Sequence, residues 1–123
     1  MRRFGLLPAL LVVLAACAAQ TATVPRLTIS NDTDYEVDVQ VAGEAREGWV
    51  PLGVLEPHSQ RVVEEIADQG EVWVFRFRHF GDPVGELSVP RAELEAGGWR
   101  VEVPPEIADR VDDPPAEAGT PEP

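Results

Sequence analysis

Carboxylates at alternate positions are the first residues of this sequence whose type and spacing could do chemistry. They are Asp32, Asp34, Glu36 and Asp38. Carboxylate oxygens are the ligands that calcium prefers, so these four are the candidate metal ligands. The pattern lacks the glycine and the spacing of an ion-wrapping loop, and on one strand alternate side chains stand about 6 to 7 Å apart along the solvent face. We therefore expect no metal site. We expect these acids to serve solubility and to pair with arginines on neighbouring strands, namely Arg76, Arg78 or Arg100.

The two histidines are the other candidates for chemistry. His58 lies in a Pro-His-Ser turn sequence, where adjacent residues rarely align as base and nucleophile, so we expect an exposed turn residue that does not activate Ser59. His79 continues the alternating face of Trp73 and Phe77, so we expect it to be partly buried and hydrogen-bonded. No zinc-ligand spacing, phosphate loop or nucleophile elbow is present in the sequence. We expect neither an enzyme nor a cofactor.

Three tryptophans could serve either the core or a partner. Core packing is the expected role of Trp49, Trp73 and Trp99. Tryptophan is enriched at binding hot spots, so Trp49 or Trp99 would be a candidate partner contact if the structure left it exposed.

Cys17 is the only cysteine, and its position indicates an exported chain. Met1-Arg2-Arg3 is a cationic start, and the apolar run 4–14 is shorter than the roughly 20 residues that span a bilayer. Such a run is typical of a signal peptide. Leu14-Ala15-Ala16-Cys17 resembles the bacterial lipobox, in which a leucine and two small residues precede the cysteine. That resemblance implies that the thiol of Cys17 receives a diacylglyceryl group and that the leader is cleaved just before it.

The resemblance implies a division of the chain and a location. Residues 1–16 would be the lipoprotein signal peptide and 17–25 a lipidated tether. Several acyl chains together hold a protein durably on a membrane, here on the extracytoplasmic side of the cell membrane or outer membrane. The alternative is an ordinary signal peptide cut at Ala16-Cys17-Ala18, which would release a soluble protein. Because a lipobox implies a bacterial host, we interpret the glycosylation sequon Asn31-Asp32-Thr33 as a chance match.

The charge balance limits the partners that the chain could have. It carries 22 Asp and Glu against 10 basic residues, a formal net charge of −12. A nucleic-acid-binding protein needs a basic face to neutralise phosphates, so we expect no nucleic acid partner. The same excess of acids opposes adsorption of the domain to anionic lipid.

Alternation of apolar and polar residues with period two dominates the middle of the chain. It predicts seven short strands, at 26–30, 35–41, 49–55, 60–66, 71–80, 84–89 and 99–103. Pro51 inside the third indicates an edge strand or a bulge. Residues 90–96 suit one helical turn that Gly97 ends. We expect an all-β fold in residues 26–103: a small single-domain β-sandwich, immunoglobulin-like in architecture or similar, followed by a disordered proline- and acid-rich tail at 104–123.

A resemblance extends over nearly the whole predicted domain. The segments Leu-x-Ile-x-Asn, Val-x-Val-x-Val, Trp-Val-x-Leu-Gly-x-Leu-x-Pro, Asp-Gln-Gly-x-x-Trp-x-Phe-x-Phe and Gly-Trp-Arg-Val-x-Val-Pro follow one another in this order. In this order they resemble small uncharacterised lipoproteins of high-GC bacteria, which implies the fold and the location and adds no site. We expect a non-enzymatic binding or structural module of the cell envelope, with an envelope protein as partner. The alternative is an envelope protein that binds a small ligand or calcium.

Overall fold

The computed structural model describes residues 22–112, which leaves the leader, Cys17 and the end of the tail outside the described part. The strands are β1 (Thr23–Asn31), β2 (Val37–Ala42), β3 (Val50–Leu55), β4 (Ser59–Ala67), β5 (Val72–His79), β6 (Asp82–Pro90) and β7 (Arg100–Glu102). The helices are α1 (Arg91–Ala96) and α2 (Ile107–Asp112). Neither described helix has the length and apolar character needed to cross a bilayer.

The strands form two sheets that pack face to face. One sheet has the order β4-β1-β7 and the other β3-β2-β5-β6. All neighbours are antiparallel except β7, which runs parallel to β1. The predicted all-β, single-domain sandwich of seven short strands is therefore confirmed.

The alternation seen in the sequence places the core between the two sheets. The central strand β5 contributes Trp73, Phe75 and Phe77, which are all fully buried. Leu27 and Ile29 of β1 face them from the other sheet and are equally buried. Each such side chain contributes roughly 1.5 to 3 kcal/mol through burial, before the entropy of folding is subtracted. The inward-facing positions of β1, β2 and β5 therefore supply most of the driving force for folding.

Proline and glycine positions shape both edges of the four-stranded sheet. β3, which contains Pro51, is an edge strand, and its register with β2 shifts between Val39 and Gln40 as the sequence predicted. The β5–β6 turn differs from the prediction because it falls at Phe80-Gly81, one position earlier than expected. Pro83 consequently lies inside β6, on the other edge, beside a second shift in register.

An arginine lies over the open side of the sandwich, where β3 and β4 are the edge strands. Arg61 of β4 pairs with Ile29, whose side chain is in the core, but the side chain of Arg61 itself is exposed. Its guanidinium lies against Gly53 of β3, where a Cβ would come within 2.6 Å of Arg61 Nε. A charge at an edge strand opposes pairing with another chain, and the guanidinium of Arg61 places one beside the edge strand β3.

Two elements of the structure extend beyond the predicted domain, residues 26–103. β1 begins at Thr23, inside the segment assigned to the tether, because Val24 is buried against the domain. The predicted disordered tail includes an ordered part, since Ile107 of α2 is only 1% exposed and packs against β6. Gly85 makes this possible, because a Cβ there would stand 3.0 Å from Ile107 Cγ2. The proline and acid content of 104–123 predicts disorder, and a single core residue, Ile107, leaves no periodic pattern that would indicate order. Residues 113–123 lie outside the described part.

The predicted helical turn at 90–96 is confirmed as α1, which Pro90 precedes and Gly97 ends. Arg91, its first residue, connects it to the β4–β5 turn. Its guanidinium donates to both carboxylate oxygens of Asp68 at 2.8 to 3.3 Å, and its backbone N–H donates to the carbonyl of Glu71 at 2.8 Å. The bonds from the Arg91 guanidinium, followed by the bond from the backbone N–H of Gly70, lower the pKa of the Asp68 carboxyl.

Candidate functional site

The side chains that could do chemistry gather at one end of the sandwich, which we call the distal end. It comprises the β1–β2 loop (32–36), the β3–β4 turn (56–58), the β5–β6 turn (80–81) and the last turn of α2. The described chain enters at the opposite end, where the carbonyl of Ala22 accepts the N–H of Asp68 at 3.4 Å. The nine residues of β1 separate the two ends, which corresponds to about 27 to 30 Å.

Asn31 organises the distal end from the last position of β1. Its side-chain amide donates to the carbonyls of Tyr35 at 2.8 Å, Glu56 at 3.0 Å and Leu55 at 3.3 Å. Its Oδ1 accepts the N–H of Thr33 at 3.1 Å and the hydroxyl of Thr33 at 2.7 Å. One buried side chain thus connects the β1–β2 loop to the β3–β4 turn. The predicted sequon therefore falls on an asparagine whose amide is fully engaged within the domain.

His58 lies on the exposed β3–β4 turn, between two carboxylates. Its Nε2 is 2.7 Å from Asp34 Oδ1 and its Nδ1 is 3.3 Å from Asp32 Oδ1. These hydrogen bonds, the one to Asp34 foremost, raise the pKa of His58 above its ordinary value. Ser59 donates its hydroxyl to the carbonyl of Glu56 at 2.7 Å. His58 and Ser59 therefore bond to different partners and do not form a base–nucleophile pair.

The row of alternating acids does not form as the sequence suggested. Asp32, Asp34 and Glu36 belong to the β1–β2 loop, whereas Asp38 lies on β2, opposite Arg78. The prediction of one shared strand face was wrong because Asn31 folds residues 32–36 into a loop. Across residues 22–112, no group of three or more histidine, cysteine or acidic side chains is arranged to hold a metal ion.

The distal end also holds an aromatic cluster that no sequence pattern indicated. Tyr35 packs edge-on against His79 with ring centroids 5.5 Å apart, and His79 packs edge-on against Phe80 at 4.5 Å. The Nδ1–H of His79 donates to the carbonyl of Glu36 at 2.8 Å, so the prediction of a partly buried, hydrogen-bonded His79 is confirmed. The hydroxyl of Tyr35 donates to Asp112 in α2, and this bond raises the pKa of Tyr35. The β1–β2 loop, the end of β5 with the turn that follows it, and α2 therefore meet at these rings.

The two candidate contact tryptophans, Trp49 and Trp99, are half-buried. Trp99 packs edge-on against the buried Trp73 at 5.3 Å, and the guanidinium of Arg91 lies 5.5 Å from its ring. The guanidinium of Arg76 lies 4.0 Å above the ring of Trp49. Phe80 is far more exposed than either tryptophan.

The outer face of the four-stranded sheet is partly covered by the β2–β3 loop. Arg76 donates to Gln40 Oε1 at 2.9 and 2.6 Å while it stacks on Trp49, which ends this loop. Arg46, from the middle of the loop, reaches Glu86 on β6 at 3.0 Å. Arg76 thus bonds to an amide and not to one of the four acids. Of the three arginines predicted as partners of these acids, Arg78 is the one that lies opposite an acid, Asp38. The loop crosses the sheet and keeps Trp49 close to it.

We compared the chain with known proteins. It matches no family model, no curated protein and no solved structure.

Proposed function

We propose that this chain is a lipoprotein of the bacterial envelope, anchored through lipid on Cys17, with its β-sandwich on the extracytoplasmic side. The observation that carries the proposal is the position of the only cysteine, directly after Leu14-Ala15-Ala16 and the apolar run that precedes them. An ordinary cleavage at Ala16-Cys17-Ala18 is the alternative. The resemblance to lipoproteins of high-GC bacteria agrees with the proposal and supplies no activity.

The start of β1 determines how the domain would stand on the membrane. Only residues 18–22 separate Cys17 from Thr23, and five residues span at most about 18 Å when fully extended. The anchored domain would therefore stay close to the lipid surface. Its excess of acids opposes contact with anionic headgroups, which favours an upright orientation with the distal end outward.

We further propose that the domain is a non-enzymatic binding or structural module with an envelope protein as its partner. The support is that its reactive side chains are engaged in hydrogen bonds within the domain. Both nitrogens of His58 face carboxylates, and the hydroxyl of Ser59 donates to a backbone carbonyl. The geometry does not support the alternative, a calcium-binding module, because three of the four candidate acids belong to the β1–β2 loop and the fourth, Asp38, to β2.

Fractionation of cells that express the full chain tests the anchor. We expect the wild-type protein and a Thr21→Ala control in the membrane fraction, extractable only with detergent. Cys17→Ala should leave that fraction because it has no thiol to modify. Cross-linking of intact cells followed by pull-down should then recover an envelope protein with the wild type and not with Cys17→Ala. Equal partitioning of all three proteins would overturn the anchor, and equal recovery with Cys17→Ala would overturn an anchored binding role.

A further inference from the structure

The most exposed aromatic side chain of the described residues occupies an unfavourable backbone position. Phe80 is 78% exposed and has φ +48°. It forms a two-residue turn with Gly81, whose φ is +88°, between the paired residues His79 and Asp82. Positive φ at both positions defines a type I′ turn, whose first position favours asparagine, aspartate or glycine. Folding alone would therefore favour asparagine at this position.

The phenylalanine ring stands on a rigid base. Its neighbour His79 is fixed by the bond from Nδ1 to the carbonyl of Glu36 and by the ring of Tyr35. Tyr35 is fixed in turn by its bond to Asp112. The ring of Phe80 packs edge-on against His79 and is otherwise largely open to solvent. A side chain held outward in this way loses little conformational freedom on binding, which is the property of a preorganised contact.

Acidic residues adjoin the aromatic cluster. Asp82 pairs with His79 across the turn, Asp34 and Glu36 flank Tyr35 in the chain, and Asp112 bonds to its hydroxyl. Arginines near other aromatic rings lie elsewhere, with Arg76 at Trp49 and Arg91 at Trp99. Two arginines, Arg78 and Arg110, lie on the side of Pro83. On the side of Tyr35 and Asp82 the apolar tip has a negative border, and its complement there is an apolar pocket with a positive border.

We propose that Phe80 is the contact through which the domain docks on an envelope protein, inserting its ring into an apolar pocket bordered by lysine or arginine. The inference depends on the proposed binding function and names the surface that performs it. Strain in the backbone is retained at functional sites, and the large exposed ring at this position fits that pattern. Phe80 lies at the distal end, about 27 to 30 Å along β1 from the end where the anchored chain enters, so it points away from the membrane.

Thermal unfolding tests whether Phe80 serves the fold instead. Phe80→Asn places the favoured Asn-Gly pair in the type I′ turn, and we expect an unchanged or higher Tm for the full chain. Val62→Asn is the matched control for loss of an apolar surface residue, since Val62 is an exposed residue of β4. A Tm for Phe80→Asn clearly below that of the wild type would show that the ring stabilises the domain, and the inference would be overturned.

Photo-cross-linking in the native cell tests the docking itself, with benzoylphenylalanine as the probe in place of Phe80 or, as the control, in place of Val62. We expect a protein adduct at position 80 alone, on a peptide that combines apolar residues with lysine or arginine. The yield of the adduct should fall in Asp82→Asn, which removes a negative charge beside the ring. Asp82 is exposed, so this substitution leaves the core unchanged.

The remaining outcomes separate the inference from the proposed function. An adduct at position 62 and none at 80, or equal yields at both, would overturn the docking role of Phe80 and leave the binding function standing. Adducts at position 80 on acyl chains or on a second copy of the chain would also overturn it. No protein adduct at either position, together with no recovery in the pull-down, would overturn both.

Discussion

Replacement of Asn31 by alanine tests the organisation of the distal end. The substitution removes the two N–H donors of the amide, which serve three backbone carbonyls, and the two bonds that Oδ1 accepts from Thr33. These are equivalent to four hydrogen bonds, all at a side chain that is 1% exposed. At about 1 kcal/mol of net stabilisation for each bond, the expected loss of unfolding free energy is about 4 kcal/mol. A domain of this size loses roughly 4 to 8 °C of Tm for each kcal/mol, so Tm should fall by roughly 15 to 30 °C.

Urea denaturation followed by tryptophan fluorescence, to which the buried Trp73 contributes, measures this loss. The m-value should be unchanged, because the surface exposed on unfolding is nearly the same. Gln60→Ala is the control, since Gln60 is exposed and only accepts a 3.5 Å bond from Ser30, and it should change stability by less than about 0.5 kcal/mol. A loss of less than about 1 kcal/mol in Asn31→Ala would refute the hydrogen-bond argument.

Asn31→Asp keeps the shape of the side chain and removes its two N–H donors. Its carboxylate would face the carbonyls that now accept from the amide, so the folded state should favour the protonated acid and raise the pKa of that group. Stability relative to the wild type should then be greatest in acid and should decline as pH rises through the unfolded pKa toward the folded one. A destabilisation that is independent of pH between 3 and 8 would contradict this reasoning.

Three further predictions concern other parts of the domain. Ile107→Ala should lower the unfolding free energy by about 2 to 5 kcal/mol in urea denaturation, and a loss below about 1 kcal/mol would mean that α2 is not part of the core. Arg61→Val should produce concentration-dependent dimers in light scattering, since it removes the charge from the edge beside Gly53; a monomer at all concentrations would contradict that role. His58→Asn keeps a residue that tolerates positive φ. The variant should be less stable than the wild type, with the full difference below pH 6.5, and the difference should disappear as pH rises through the raised pKa of His58. A difference that grows with pH would contradict the pairing with Asp34.

The periodic part of the fold was predictable from the sequence. The alternation of apolar residues in β5 and β2 identified the core, and Pro51 identified an edge strand, because burial on one face and a missing N–H leave direct marks on composition. The sequence did not reveal the ordered part of the tail, where one buried isoleucine outweighs its polar surroundings. That contact depends on Gly85, which is distant in sequence.

The distal end could be predicted only in pieces. His58 was correctly assigned to an exposed turn, but its two carboxylate partners come from a loop whose shape Asn31 imposes through long-range bonds. Phe80 was placed inside a strand, since a Phe-Gly pair is a rare sequence for a type I′ turn. The pattern rules fail here because the local preference of Phe80 conflicts with the conformation that it adopts.

The mass of the mature protein's N-terminal peptide shows whether the chain is cleaved before Cys17 and whether Cys17 carries lipid. Protein purified from the membrane of its native cell should begin at Cys17 and carry a diacylglyceryl group on the thiol, with or without a further acyl chain on the amino group. A peptide that begins at Met1 or Ala18, or that begins with an unmodified Cys17, would contradict the account.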